Sequence, residues 1–552
     1  MGISSLISAS PTAIALFFVA ATSCYYTVSR FLNVRRSCRD LPQPPHSFWF
    51  GHILVAGRIT QAYPPNPYIH HLFITISREY DLPDVFYLDL WPFVDPMVVI
   101  CSPELAAQIT TEQTFPKDPA VGHFLSPFLG KDSIISVSGS KWKTLHSIFV
   151  PTFAPAYIRT MTDGMLDEVL LYHDNLSQLA KSKESFSMSS LGVDMTFNVI
   201  GRAVFNSSFH SKEGTEFVKN FKSGLDYAFD GGLSTRRWLI NMVPKWILVW
   251  KVNRYIEKKV IMRFDELKKE EASSVKKSRT IMDLVLRQKL NSPEGIVGDR
   301  DFMDMAISNI KSFLAAGHET TAYTLGYVFM LLSKHPEAVR QAREEHEKVF
   351  SPDFNHTVEM IRAHPEKLYD LHYTTGIIKE TLRLFPIGSV ARAKGEGMHV
   401  MYNGKPLPFT DQLIMVCNLV MHYNPKLFPS PSEFQPERFI TQTIPKDAWR
   451  PFERGPRGCI GQDLAMVEMR MVIVVLLRSF DFEAMGANPH KNPIASYTTL
   501  DTIFGDLIYQ KQSLTARPSS GQEMKVEFAQ GYEAHVKRNQ MGLDEGKPDN
   551  IN

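Results

Sequence analysis

The chain has 552 residues, 44% of them hydrophobic, and a formal net charge of +2. This length allows one large hydrophobic core, and a nearly neutral charge without long basic runs argues against nucleic-acid binding. The five cysteines are odd in number and widely spaced, which excludes a disulfide framework and a zinc-binding pattern.

The N-terminal segment has no charged side chain between Met1 and Arg30. Residues 11–29 are about as long as a helix that crosses the bilayer core. A cleaved signal peptide would have a basic start and a shorter apolar core. Basic residues follow at once, at Arg30, Arg35, Arg36 and Arg39. We therefore expect residues 1–40 to form a single transmembrane helix and a basic stop, with the rest of the chain on the cytoplasmic side.

The remainder divides into residues 41–529, which are enough for one large catalytic domain, and a polar tail, residues 530–552. We expect the tail to be poorly ordered. The proline-rich start, Leu41-Pro-Gln-Pro-Pro45, predicts a stiff connection to the anchor. Residues 85–90 and 97–101 are predicted strands. Helical patterns dominate from there to Leu384, so the expected fold is mainly α with small β-sheets.

The segment from Trp238 to Trp250 is an apolar run with basic residues at both edges. Tryptophans flanked by cations are typical of a membrane interface. A helix pair packed on the core would show the same pattern, and both interpretations stay open.

A long helical pattern at residues 301–333 contains Ala316-Gly-His-Glu-Thr-Thr321. Gly317 leaves space beside the helix, and Thr320 can bend it by bonding back to a carbonyl. A hydroxyl beside a carboxylate, as in Thr320 and Glu319, is suited to passing protons. Taken alone, such a pair is more typical of an ordinary helix.

A second helical motif, Lys379-Glu-Thr-Leu-Arg383, is stopped by Leu384-Phe-Pro386. Glu380 and Arg383 lie on one helix face. Taken alone, such a pair is a surface contact worth about half a kcal/mol or less.

The glycine-rich loop Phe452-Glu-Arg-Gly-Pro-Arg-Gly-Cys-Ile-Gly461 precedes a predicted helix at residues 463–480. Its glycines allow tight turns and close approach to a flat group. A thiolate at Cys459 would be favoured by the helix N-terminus, and thiolate is an axial ligand of haem iron. A buried structural cysteine is the alternative.

The pattern Phe-x-x-Gly-x-Arg-x-Cys-x-Gly closely resembles the cysteine signature of the cytochrome P450 family. The segments at 316–321 and 379–383 resemble the family's oxygen-activation and Glu-x-x-Arg motifs, in the expected order. The resemblance covers nearly the whole chain after the N-terminal segment. Residues 371–380 and 509–518 look most like fungal members that tailor polyketides or terpenoids.

The resemblance implies the cytochrome P450 fold after one transmembrane helix, and haem b with Cys459 as the axial thiolate ligand. It implies that Glu319 and Thr320 relay protons. Further cofactor-binding residues implied by the family pattern are Phe452, Gly461, Arg457, Trp142, His146 and Arg392. Histidine stands at 146 where the family's Trp-x-x-x-Arg motif has arginine, so that propionate contact is in question.

The family also implies that Glu380 and Arg383 are buried with Arg438 of Pro436-Glu-Arg438-Phe439, in a network that locks the cysteine loop. Family analogy places the substrate pocket at four stretches: Phe124 to Phe128, Ala315 and Ala316, Ile387 to Val390, and Tyr509 to Leu514. These positions are mostly apolar, which indicates a lipophilic substrate.

We therefore expect a monooxygenase of the endoplasmic reticulum membrane that inserts one oxygen atom from O2 by hydroxylation or epoxidation. Because the chain has no dinucleotide-binding or flavin-binding loop, electrons must come from a separate protein. The resemblance implies that this protein is an NADPH-dependent flavoprotein reductase, with Arg450 and Arg454 on the cysteine-loop face as candidate docking contacts. A fungal secondary-metabolite pathway is the first expectation, and fatty-acid or xenobiotic hydroxylation the alternative. A haem-thiolate isomerase or dehydratase without a reductase, and a non-enzymatic haem binder or membrane scaffold, are the rival classes.

Overall fold

The computed structural model describes residues 11–37, 40–229, 235–271, 280–290, 295–296, 298–408, 411–530 and 532. Its helices are α1 Pro11–Arg36, α2 Ile53–Thr60, α3 Ile69–Glu79, α4 Pro103–Ala107, α5 Pro119–Leu129, α6 Gly139–Phe149, α7 Pro155–Ile158, α8 Thr162–Ser182, α9 Met188–Phe205, α10 Lys212–Phe229, α11 Thr235–Glu271, α12 Ile281–Arg287, α13 Arg300–Leu332, α14 Pro336–Val349, α15 Phe354–Ala363, α16 His372–Leu384, α17 Asn418–His422, α18 Arg438–Thr441, α19 Gln462–Ser479 and α20 Asp501–Phe504. The strands are β1 Val85–Leu88, β2 Met97–Ile100, β3 Phe186–Ser187, β4 Val390–Arg392, β5 Met401–Tyr402, β6 Lys405–Pro406, β7 Leu413–Val416, β8 Phe480–Ala484, β9 Gln510–Gln512, β10 Ala516–Pro518 and β11 Glu523–Phe528.

The sheets are small, as expected. The largest has the order β1-β2-β7-β4, in which β2 and β7 are parallel and the other pairs antiparallel. A second sheet, β3-β11-β8, joins the middle of the chain to its C-terminal part. The two N-terminal strands were predicted correctly, although each ends before the predicted residue. The polar-tail prediction lies outside the described residues except for Gln530 and Tyr532.

Helix α13 forms the centre of the fold. Its N-cap Asp299 accepts a hydrogen bond from the Phe302 amide, which satisfies one free backbone donor of the first turn. Nearly every side chain from there to Leu332 is buried, as is typical of a helix surrounded by other helices. It packs against α9, α16 and α19, so residues on its middle turns face the interior.

Helix α1 is the one described helix that is long and apolar enough to cross a membrane, over Ile14–Arg36. It continues beyond residue 29, where the predicted transmembrane segment ends. Its apolar side chains are exposed along most of its length, as they are on a helix that has no protein neighbours. Only its last turns contact the rest of the fold.

Arg35 is the centre of that contact. Its guanidinium forms a buried ion pair with Asp89 and donates to the backbone oxygens of Phe48 and Trp49, at 2.9 and 3.1 Å. The Phe31 ring stacks on Trp49 at 6.0 Å between centroids. Arg35 is one of the basic residues expected to follow the transmembrane helix. Its side chain is almost fully buried in the globular part.

We predict that Asp89→Asn lowers the free energy of unfolding by about 3–5 kcal/mol, because it leaves the buried Arg35 charge without its partner. Denaturant unfolding of the detergent-solubilised protein measures the change. Arg30→Met is the control, since Arg30 pairs with the exposed Asp95 and Asp411 and its loss should cost little. Equal stability of both variants would contradict a buried clamp at Arg35.

Candidate active site

A cavity of about 340 Å³ lies between the middle of α13, the loop before α19, and the start of α19 itself. Cys459 and its neighbours line one part of the cavity, and Thr320 lines another. The remaining lining is mainly apolar, with Ile134, Phe153, Val199, Ile200, Phe313 and Ile387. The cavity thus brings the cysteine motif and the helix motif, which are far apart in sequence, into one site.

The cysteine loop is a tight turn held by backbone hydrogen bonds. The Cys459 amide donates to the Phe452 oxygen at 2.8 Å, and the Gly458 amide to the Gly455 oxygen at 2.9 Å. Gly455 has φ +77°, and a Cβ there would lie 2.0 Å from the Thr110 oxygen. Both the left-handed backbone and the close approach require glycine at this position.

Cys459 is exposed and lines the cavity. Desolvation by the surrounding protein raises the pKa of its thiol, and a hydrogen bond from the Gly461 amide opposes this rise. Gly461 is also the N-cap of α19. A cation such as a metal ion at the thiol would favour the thiolate.

Four residues of the helix motif line the cavity: Ala316, Gly317, Thr320 and Thr321. The Thr320 hydroxyl donates to the Ala316 oxygen at 2.8 Å, the local back-bonding that the sequence predicted. A Cβ on Gly317 would lie 2.7 Å from Cγ1 of Ile200. Close packing of α9 therefore also requires this glycine, in addition to the predicted space for a ligand.

Glu319 is not part of the cavity lining. Its carboxylate accepts hydrogen bonds from Thr515 at 3.1 Å and from Arg517 at 3.0 Å, on the segment around β10. Arg517 is shared with Asp226 of α10 at 3.0 Å. The structure thus places Thr320 at the cavity and holds the adjacent carboxylate in a separate ion pair.

The Glu-x-x-Arg pair is completely buried. Arg383 donates to both carboxylate oxygens of Glu380, at 2.7 and 2.8 Å, and Arg438 approaches the same carboxylate at 3.4 Å. Backbone oxygens, including those of His422 and Pro431, accept the other Arg383 hydrogens. The cluster predicted from the resemblance is therefore present, with its polar atoms satisfied.

Two hydrogen-bonded paths connect this cluster to the cysteine loop. His422 donates from Nδ1 to the Arg383 oxygen at 3.0 Å and accepts at Nε2 from the Arg450 amide at 3.3 Å. The Trp449 indole donates to the Lys379 oxygen at 3.0 Å. Burial lowers the pKa of His422 to about 3, which keeps the ring neutral for this double role.

Three of the residues predicted to bind the cofactor's acidic groups, Trp142, His146 and Arg457, line one edge of the cavity. The Arg457 guanidinium stacks on the Trp142 ring at 4.6 Å and donates to the Val137 oxygen at 2.8 Å. The Trp142 and His146 rings are 4.7 Å apart. Burial and the charge of Arg457 lower the pKa of His146, so this side chain is neutral near pH 7.

Arg392 lies at the end of β4 beside Lys117, with which it forms a backbone bridge. All three of its guanidinium nitrogens are buried without a hydrogen-bond partner. Lys117 lines the cavity and was missed by the sequence analysis, as was Glu468 of α19. Neither belongs to a motif that the sequence analysis recognised; Lys117 is a lone basic residue before a helix cap.

The comparisons with known proteins agree with this geometry. The family model described as cytochrome P450 matches residues 42–501. The chain is 34% identical to cytochrome P450 monooxygenase acrF of Aspergillus aculeatus, over 82% of this chain and 95% of the relative. It is 32% identical to cytochrome P450 monooxygenase polC of Polytolypa hystricis, over 84% and 87% respectively.

The chain belongs to the cytochrome P450 family. The solved haem domain of cytochrome P450DA has the same fold, with a TM-score of 0.69 at 19% identity, and the match covers 89% of this chain and 98% of that one. The protein is accordingly a P450 monooxygenase, an oxidoreductase whose family uses haem-thiolate iron.

The residues at the cavity fit a haem. Lys117, Arg450 and Arg457 line the cavity, and Arg392 lies beside Lys117. The carboxylates of Asp447 and Glu453 are both engaged by Arg450, and burial raises the pKa of the lining residue Glu468 well above its usual value. Among the described residues, the other three cations therefore form no ion pair with a carboxylate, and haem carries two propionates. The unpartnered nitrogens of Arg392 are the strongest single indication of an anion at this edge.

Two sequence-based expectations about the surroundings were wrong. Arg450 was expected on the surface as a reductase contact, but it is fully buried and bonded to Glu453 and Asp447. Of the expected pocket stretches, Ala316 and Ile387 to Val390 line the cavity, whereas Phe124 to Phe128, Ala315 and Tyr509 to Leu514 do not. The neighbouring loops and helices that decide such contacts are distant in sequence.

We predict that Glu380→Gln destabilises the protein by about 3–5 kcal/mol and loosens the cysteine loop, because two buried arginines lose their shared carboxylate. Thermal or denaturant unfolding measures this change. Glu337→Gln is the matched control, since Glu337 pairs with Arg340 at the same spacing on α14 but in solvent. A loss no larger than that of the control would refute a structural role for the buried cluster.

Proposed function

We propose that this cytochrome P450 binds haem b through the Cys459 thiolate and inserts one oxygen atom from O2 into a lipophilic organic substrate. The observation that carries the proposal is one cavity lined by Cys459, by the Thr320 hydroxyl and by apolar side chains. Overall, O2, two electrons and two protons give one oxygen atom in the substrate and one water molecule.

The bound haem would supply the oxygen-activating redox chemistry, and Cys459 would hold it from the loop side. Arg457 and Arg392 would bind its propionates, with Trp142 supporting Arg457 and His146 beside them. Phe452 and Gly461 would shape the loop that carries Cys459. The buried cluster of Glu380, Arg383 and Arg438 would keep that loop in place when the cofactor exchanges.

Proton delivery is the proposed task of Thr320 and Glu319. The Thr320 hydroxyl already faces the cavity and can pass a proton toward it while rotating away from the Ala316 oxygen. The Glu319 carboxylate has to leave Arg517 and Thr515 before it can supply that hydroxyl. Movement of the segment around β10 away from Glu319 would therefore control the supply of protons from Glu319 to Thr320.

The substrate is proposed to be apolar and of moderate size. Ile134, Val199, Ile200 and Phe313 offer no charge that could orient a polar group. Hydroxylation and epoxidation both suit such a lining. Because the relatives acrF and polC are fungal monooxygenases, a tailoring step in fungal secondary metabolism is the pathway that we favour over fatty-acid or xenobiotic oxidation.

Membrane attachment would bring the substrate to the enzyme. Helix α1 is proposed to span the endoplasmic reticulum membrane, with residues 41–529 as the catalytic domain on the cytoplasmic side. On α11 the side chains of Val243, Trp246 and Trp250 are largely exposed, which favours the membrane-interface interpretation over packing on the core. The Trp238 side chain lies outside the described residues.

Electrons are proposed to come from an NADPH-dependent flavoprotein reductase that docks on the cysteine-loop side. Arg454 remains a candidate contact, because its side chain is about half exposed. Its guanidinium lies 3.6 Å from the Asp447 carboxylate. Dependence on both reductase and O2 separates this function from an isomerase or dehydratase and from a non-catalytic haem protein.

The first test compares the wild-type protein with Cys459→Ser in the reduced, carbon-monoxide-bound difference spectrum. We expect the red-shifted Soret band of thiolate ligation in the wild type and its loss in the variant, because serine does not supply a thiolate. Cys417→Ser is the control, since Cys417 is buried away from the cavity. A band that survives Cys459→Ser would disprove the assignment of the ligand.

The second test concerns the relay. We expect Thr320→Val to release a larger share of the reducing equivalents as hydrogen peroxide, by roughly tenfold or more, because a positioned proton donor contributes about 100-fold to 10,000-fold. Peroxide formed per NADPH consumed is the quantity to measure. Ser308→Ala is the control, since Ser308 is buried on the same helix outside the cavity lining. Unchanged coupling in Thr320→Val would exclude the hydroxyl from proton delivery.

A further inference from the structure

One wall of the cavity is a stretch of chain that forms neither a helix nor a strand. Residues 130–138, the wall segment, connect α5 to α6 through turns, and Ile134 and Ile135 of this segment line the cavity. A segment of this kind has no ladder of backbone hydrogen bonds to fix it. Its position therefore depends on contacts with neighbouring elements.

Asn309 of α13 makes the first of these contacts. Its side-chain oxygen accepts a hydrogen bond from the Ile134 amide at 3.0 Å, and its nitrogen donates to the Asp132 oxygen at 3.0 Å. The same nitrogen donates to the Met305 oxygen, one turn earlier on α13, at 2.8 Å. The Asn309 side chain is completely buried. One amide group thus binds the wall segment on both sides of Ser133 and ties it to α13.

A chain of hydroxyl groups makes the second contact, at the next residue of the wall. The Ser312 hydroxyl donates to the Ser308 oxygen at 2.6 Å and lies 2.7 Å from the Ser133 hydroxyl. Because the Ser312 hydrogen is already used, Ser133 donates to Ser312. The Ile135 amide donates in turn to the Ser133 hydroxyl at 3.2 Å. The chain of hydrogen bonds therefore runs from α13 to Ile135.

The two contacts act on the two residues that form the wall. Asn309 and Ser312 are three residues apart, so they lie on one face of α13. Neither of them lines the cavity, and both are buried. Loss of the Asn309 amide would leave a buried N–H and a buried C=O of the wall segment unpaired, and such groups either find water or move.

We propose that Asn309 and Ser312 are positioning residues that hold Ile134 and Ile135 against the cavity and so limit the size of the ligand that the site accepts. An apolar wall rejects a larger ligand only if it cannot move away from it. The proposal rests on the proposed function, because the ligand is taken to bind at the haem assigned there. Both residues act through the wall segment and do not touch the ligand.

Asn198 of α9 provides a matched control for Asn309. Its side-chain oxygen accepts from the Phe209 amide at 2.7 Å, and its nitrogen donates to the Asp194 oxygen, one turn earlier on α9, at 2.9 Å. Neither Asn198 nor Phe209 lines the cavity. Asn198→Leu therefore removes the same bonding pattern from a segment that is not part of the wall.

The first measurement is amide hydrogen exchange of the haem-loaded protein, read by mass spectrometry on a peptide that covers residues 130–138. In Asn309→Leu we expect this peptide to exchange roughly tenfold faster than in the wild type, because the hydrogen bonds at Ile134 and Asp132 are lost. In Asn198→Leu the peptide that contains Phe209 should exchange faster instead, and the wall segment should match the wild type.

The second measurement is a pair of absorption titrations with imidazole and 4-phenylimidazole, which both bind haem iron through a ring nitrogen and differ in size. In Asn309→Leu the affinity for 4-phenylimidazole should rise relative to that for imidazole by roughly fivefold or more, because the wall can retreat. Ser312→Ala, which removes one hydrogen bond, should give a smaller change in the same direction. Asn198→Leu should keep the wild-type ratio, which a merely structural role of Asn309 would also leave unchanged.

Three results would overturn the proposal: a wild-type ratio of affinities in Asn309→Leu, a ratio that moves in the opposite direction, or an equal change in Asn198→Leu. If Asn309→Leu does not bind haem, Ser312→Ala decides, and a wild-type ratio there counts against the proposal. Failure of the proposed function is distinct. The wild-type protein would then lack the thiolate spectrum that depends on Cys459, whereas exchange in the wall segment would still respond to Asn309→Leu.

Discussion

The buried carboxylate of Glu380 is the interaction on which the site depends. It neutralises two buried arginines, Arg383 and Arg438. The segment that leads into the cysteine loop is connected to Arg383 through His422, and to the backbone next to Glu380 through Trp449. Buried ion pairs contribute little net stability but break at high cost, which makes them suited to fixing one conformation. Here that conformation is the one in which Cys459 lines the cavity.

At the edge of the cavity, in contrast to the Glu380 cluster, the positive charges are not all paired. Its cations are left without enough carboxylates, so the protein alone is electrostatically incomplete there. The pKa of Arg457 is lowered to about 10 by burial and by Arg392, which shows how unfavourable the charged state is without an anion. A dianionic cofactor removes this strain, so haem binding and stability of the fold should be coupled.

Local features of this chain follow from its sequence because they depend on neighbouring residues. The bounds of α13 and α19 agree with their patterns to within one residue. The Glu380 cluster, in contrast, was expected from the family resemblance and not from local pattern, because Arg438 is distant from Glu380 in sequence. The burial of Arg450, the ion pair of Glu319 and the position of Lys117 depend on segments far apart in the chain. The spacing of apolar residues along the chain does not predict contacts between distant segments. A family motif predicts only the positions that belong to the motif.

The clamp at Arg35 extends this argument to the anchor. Basic residues after an apolar helix are normally counted as free charges beside the membrane, but the buried pair with Asp89 makes the end of α1 part of the globular fold. A helix joined in this way cannot rotate freely against the catalytic domain. If α1 spans a bilayer, its tilt is transmitted to the domain, and the exposed Trp246 and Trp250 on α11 would meet the membrane at a fixed height. Substrate entry would then depend on an ion pair remote from the cavity.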